Sequence, residues 1–180
     1  MRKFLIPVIA FFCFTSCKDS STTSTTASAA TDSAAAPAVT LPYTATYSSN
    51  FVPGKQADVA TVLESYKAWE TNDMKAMRAT FGDSVQILFP DGGQTSGLAD
   101  SVVKMAGHFR DSLSKVDLSF YAWTSNHSVN KNEDWVNVWY KEIDTYKTGK
   151  VDSLIYQDDN LLKNGKIVWI SSHSQKLKKK

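Results

Sequence analysis

Apolar residues follow four successive rhythms along this 180-residue chain. The first is an unbroken apolar run, Phe4 to Phe14, behind the cations Arg2 and Lys3. The second is a near absence. From Lys18 to about Asn50 the chain is mostly Ser, Thr and Ala, as in Ser20-Ser21-Thr22-Thr23-Ser24-Thr25-Thr26. Such a stretch buries too little apolar surface to offset chain entropy, so residues 18–50 read as a disordered tether. The third rhythm is helical: Val59, Val62, Leu63, Tyr66 and Trp69 share one face. Thr71-Asn72-Asp73 supplies a stop and a new N-cap, and Met74, Met77 and Phe81 predict a second short helix. Val85, Ile87 and Phe89 alternate as a short strand ended by Pro90, and Asp91-Gly92-Gly93 predicts a turn. Ser96 is placed to cap a third helix, with Leu98, Val102, Met105, Ala106, Phe109 and Leu113 on its inner face.

The fourth rhythm has period two. Val116, Leu118, Phe120 and Ala122 alternate with Asp117, Ser119, Tyr121 and Trp123. Trp135–Asp144, Val151–Asp159 and Ile167–Ser174 follow as strands, separated by turn residues that include Asn164-Gly165, a two-residue hairpin signal. Four consecutive strands joined by tight turns predict an antiparallel meander. Helices ahead of a sheet predict an α+β layer fold, with about three helices packed as a cone on a curved sheet. One domain over 51–175 suits this length, with a basic tail at 176–180. A curved sheet of this kind can enclose a pocket.

The amino-terminal layout resembles a bacterial lipoprotein signal peptide over 1–17. Arg2 and Lys3 form its positive region, and the apolar run is too short to span a membrane. Ser16 is small, as a cleavage site needs, while Phe14 stands where the usual pattern has Leu. The resemblance implies that Cys17 becomes the first mature residue and carries lipid. The protein would then sit in the cell envelope, on the periplasmic face, the outer membrane or the cell surface. Cys13 and Cys17 are the two cysteines of the chain, so no disulfide is expected in the mature domain. Asp32-Ser33-Ala34 resembles the triplets that some Bacteroidetes glycosylate on exported proteins, and similar triplets recur at Asp83, Asp100 and Asp111. A net charge of +2 argues against nucleic acid as a partner.

Titratable residues offer few chemical motifs. His108, His127 and His173 are isolated, with no spacing that suits zinc, so no metal is expected. No phosphate-cradling glycine loop and no Gly-x-Ser-x-Gly occurs, so no cofactor is expected. Asp158 and Asp159 are successive on a strand, so one faces inward and needs a partner such as Tyr66 or a ligand. His173 shares parity with Ile167 and Trp169 and reads as a buried histidine. Trp123, Trp135, Trp139 and Trp169 are placed to line a cavity or to pack in a core or interface.

Val62 to Met74, then Phe81-Gly82-Asp83-Ser84-Val85, Phe89-Pro90 and Asn164 to Val168 resemble the nuclear transport factor 2-like superfamily, also called SnoaL-like. The resemblance covers about Val59 to Gln175. It implies a cone of helices on a curved sheet, often with a cavity between them, and frequent dimers through the open sheet face. The superfamily's ketosteroid isomerases use a Tyr on the first helix, a proton-moving Asp before a strand-ending Pro, and a second acid on a later strand. Tyr66 matches the Tyr, and Asp158 or Asp159 falls near the second acid. The proton-moving position aligns with Phe89, which cannot accept a proton. The catalytic residues are therefore unknown, and the expectation leans away from an enzyme. Tyr66, Trp69, Phe89, Trp123, Trp139, Asp158 and His173 form the candidate pocket. The expected role is a membrane-anchored lipoprotein binding a small apolar ligand or a partner without catalysis. The alternatives are a SnoaL-like isomerase, cyclase or dehydratase using Tyr66, Asp158 and His173, or a homodimeric interaction module.

Overall fold

The computed structural model describes residues 40–176, and those from Leu41 on belong to one compact unit. The signal segment, Cys17, residues 18–39 of the tether and Lys178–Lys180 of the basic tail lie outside the described residues.

The helical spacing from Val59 becomes α1 (Gln56–Thr71). It ends at Asn72, which is left-handed with φ 59°. Asparagine tolerates this conformation because its short side chain bonds locally. The next residue starts α2 (Met74–Thr80): the Asp73 carboxylate accepts from Ala76 N–H at 2.9 Å. The strand that follows is β2 (Phe81–Leu88), so Phe81 begins a strand instead of ending a helix. The Asp91-Gly92-Gly93 turn then forms, closed by Phe89 N–H donating to Gly93 O at 2.8 Å.

Three expectations are corrected here. Ser96 does not cap a helix. It lies in β3 (Gln94–Leu98), which returns antiparallel along β2, and α3 begins at Ala99 and runs to Arg110. The hairpin turn forces the return, and the polar Gln94-Thr95-Ser96 run carries no apolar alternation to announce it. The inner face of α3 is Ala99, Val102, Val103 and Arg110, whereas Leu98, Met105 and Phe109 are exposed and Leu113 opens a strand. Finally, the last residues of the expected tether pack on the domain: Tyr47 stands edge-on to Trp135 at 6.1 Å, and Asn50 O accepts from Val129 N–H. Phe51–Pro53, where the domain was expected to begin, forms β1.

The meander forms as four long strands: β4 (Leu113–Ser128), β5 (Glu133–Tyr146), β6 (Val151–Lys163) and β7 (Lys166–Lys176). Asn164 and Gly165 both take positive φ, 52° and 70°, as a tight hairpin turn between right-twisted strands requires. The seven strands order β1-β4-β5-β6-β7-β2-β3. All neighbours are antiparallel except β2 and β7, which pair in parallel. Alternation along β4 fails at two points, first between Leu113 and Lys115. A bulge between Phe120 and Ala122 moves Ala122 opposite Trp139 and Trp123 opposite Val138, which exchanges their faces. The core lies between the helices and one sheet face, around Val59, Val62, Val85, Val102, Val136 and Ile167. Among the described residues no helix is long and apolar enough to cross a membrane.

Candidate functional site

The sheet face beneath α1 carries three buried polar side chains, Glu142, Asp158 and Asn160. Period two brings Val136, Val138, Tyr140 and Glu142 of β5 to one side, with Tyr156, Asp158 and Asn160 of β6 beside them. From above, α1 lowers Tyr66 and Trp69, one turn apart. Tyr66 Oη donates to Asp158 Oδ2 at 2.6 Å, and Tyr140 Oη donates to the same oxygen at 2.9 Å. Asp158 is only 3% exposed, and its other oxygen, Oδ1, is buried without a partner. The adjacent Asn160 donates to Val136 O at 3.1 Å while its own Oδ1 is likewise unpartnered.

Burial pushes the Asp158 carboxyl up, against the hydroxyls of Tyr66 and Tyr140, which favour its charged form. Burial and the Asp158 charge push the hydroxyls of Tyr66 and Tyr140 well above their ordinary value. Aromatic rings fill the space around this group. Tyr66 meets Tyr140 at 5.0 Å and Phe120 at 5.5 Å, both edge-on, and Tyr140 stacks on Tyr156 at 5.3 Å.

A second acidic group adjoins the first. Trp69 Nε1–H donates to Glu142 Oε1 at 2.8 Å. Burial, then the nearby Asp144 charge, pushes Glu142 up to about 8. Arg110 of α3 closes this end. It is buried and donates to the carbonyls of Trp69 and Glu70 at 2.9 Å each, satisfying the carbonyl-rich end of α1.

The structure brings three of the seven candidate pocket residues together: Tyr66, Trp69 and Asp158. The other four lie elsewhere. Phe89 follows β2 in the turn and is 39% exposed, because the strand ends at Leu88. Trp123 reaches the helix side of β4 only by the bulge and is 47% exposed, touching Phe120 edge-on. Trp139 alternates with buried Val138 and Tyr140, so it occupies the opposite sheet face. His173 pairs with Gln157 beyond the end of β2 and is exposed, so it is not a buried histidine. Asp159 faces away from Asp158 and accepts from Asn137 at 2.7 Å. Asp91 spends its carboxylate on Gly93 N–H at 2.9 Å and offers no base in place of Phe89.

Tyr140 and Glu142 are the functional-type residues that the sequence reading passed over. Tyr140 has a signal, since it continues the Val136–Val138 alternation. Glu142 has none, because a carboxylate at an inward position looks like a strand that has turned to solvent.

Two clefts open on the helical side, and neither is lined by Tyr66, Tyr140 or Asp158. One of about 420 Å³ lies between α2 and α3, and one of about 470 Å³ lies along α1 and α2. Among the described residues no three His, Cys, Asp or Glu side chains cluster as a metal site.

Three helices packed on an open seven-stranded sheet of this order give the chain the NTF2-like fold. It is similar to an NTF2-like protein of unknown function from Burkholderia pseudomallei, 21% identical, covering 66% of this chain and 91% of that one with a TM-score of 0.54. It is also similar to a putative polyketide cyclase from Xanthomonas campestris, 16% identical, covering 66% and 90%, TM-score 0.52. A third similar structure is an LEH-like epoxide hydrolase from M. tuberculosis, 8% identical, covering 67% and 84%, TM-score 0.57. No family model matches the sequence, and no curated protein matches it either. At these identities the likeness speaks for the fold and not for a shared activity.

Proposed function

We propose that the chain is an envelope lipoprotein, lipidated at Cys17, whose NTF2-like domain binds a partner without catalysis. Residues 18 to about 46 tether the domain to the membrane, and the helices close one side of the curved sheet as a cone. One observation carries the non-catalytic reading. The deep end of the cone is occupied by the domain's own rings, with the hydroxyls of Tyr66 and Tyr140 both committed to Asp158. That leaves the small apolar ligand with less support than a macromolecular partner. The partner that suits the remaining surface is a second copy, through the sheet face opposite the helices, where Trp135, Trp139 and Trp169 are half-buried.

A SnoaL-like enzyme is the second reading, favoured by the unpartnered Asp158 Oδ1 and by the cyclase and epoxide hydrolase among the similar structures. Its acid–base set is incomplete, because His173 is exposed and Phe89 cannot accept a proton.

Native mass spectrometry of the full chain extracted from its own membranes tests the proposal. The expected species is a dimer of chains that begin at Cys17 and carry acyl mass. A monomer beginning at another residue without lipid overturns it.

A further inference from the structure

The cleft between α2 and α3 belongs to neither the Tyr66–Asp158 group nor the open sheet face. We infer that it binds a small amphiphilic anion, a negatively charged head on a short apolar chain. The cleft is a shallow, open groove of about 420 Å³. Its floor is apolar: Met74 from α2, with Val103 and Gly107 from α3. Gly107 packs closely under Met74, since a Cβ there would stand 3.3 Å from Met74 Cγ.

Charge is arranged around that floor. Lys75 enters from α2, and Lys104 and His108 enter from α3. Arg78 and Asp100 also line the cleft, but they satisfy each other at 2.7 Å. Arg78 further donates to the carbonyls of Phe81 and Gly82 at 3.3 Å, so it forms part of the wall. Among the described residues no carboxylate pairs with Lys75 or Lys104, as for most lysines here, so both ammonium groups stay open to an anion. Asp111 is the one further carboxylate of the lining, so the cleft holds three permanent cations against two acids. Unpaired cations above an apolar floor reward a ligand that brings both features. Each methylene that leaves water there is worth up to about 0.8 kcal/mol.

The test uses residues 18–180, which keep the whole compact unit, with sodium octanoate as the probe and amide NMR as the readout. Octanoate should shift Met74, Val103 and Gly107 saturably, and inorganic phosphate should bind at least about tenfold more weakly for want of a chain. The pair Lys75→Glu and Lys104→Glu should weaken octanoate by about tenfold or more while the spectrum stays dispersed. The pair Lys131→Glu and Lys163→Glu changes net charge equally away from the cleft and should leave binding intact. Flotation with phosphatidylglycerol vesicles separates the two sources of such an anion. Retention that depends on Lys75 and Lys104 identifies a membrane lipid, and octanoate binding without retention identifies a free amphiphile. The inference fails if octanoate produces no saturable shift, if its shifts centre on Tyr66 and Tyr140, or if both charge-reversed pairs lose affinity alike.

Discussion

Two tyrosine hydroxyls share one oxygen of Asp158, and that sharing decides what a substitution there costs. Asp158→Ala removes the acceptor of two buried donors, each worth about 1–3 kcal/mol when orphaned. Urea unfolding should therefore show a loss of about 3 kcal/mol or more. Asp158→Asn keeps an acceptor oxygen and should cost clearly less. Equal losses for the two variants would mean that the hydroxyls do not depend on this side chain. Glu142 gives a prediction in pH. Its folded value, about 8, lies above the ordinary 4.5, so the folded chain holds a proton that the unfolded chain has released. The stability this lends is full below about pH 4.5 and is lost as pH rises through about 8. Thermal melting should fall across that window in the native chain, and Glu142→Gln should flatten the fall. A native chain whose melting temperature does not change between these limits contradicts the burial of Glu142.

Elements were legible wherever apolar spacing and turn chemistry agreed. Thr71-Asn72-Asp73 reads as a break from sequence, and the structure uses both residues as read, Asn72 left-handed and Asp73 as a cap. Asp73→Ala should cost about 1 kcal/mol, the usual worth of an N-cap, in chemical denaturation. A change under a few tenths would show that α2 is held by packing alone. Asn164-Gly165 behaves the same way, because only residues at ease with positive φ close so short a turn. The illegible elements are those set by pairing. β1 and β3 are short, largely exposed strands that exist because β4 and β2 offer them partners. The second β4 bulge adds one residue and inverts every later side chain, which no period-two count can foresee. That inversion is why Ala122 leaves the face of Val116, Leu118 and Phe120 and Trp123 joins it.

At the scale of the molecule, helices packed on a meander were recoverable because burial imposes its period on every long element. The candidate site was recoverable only in part. Tyr66 and Asp158 carry a signal, one in a helical stripe and the other in an acidic pair that must split between faces. Parity places Phe89 and His173 inward, but β2 ends before Phe89, and a register shift in the β6–β7 pairing turns Trp169 and His173 to the face away from Ile167. What fills the interior is likewise a property of the assembled sheet, since Tyr66, Phe120, Tyr140 and Tyr156 come from four elements. The account stands on that filled interior. The most direct test is proton NMR of the tyrosine hydroxyls in the folded chain. Two downfield hydroxyl resonances that exchange slowly with water are expected, assigned to Tyr66 and Tyr140 and both lost in Asp158→Ala. Hydroxyls that exchange fast in the native chain would mean that water reaches Asp158, and with it room for a ligand or substrate where this account places none.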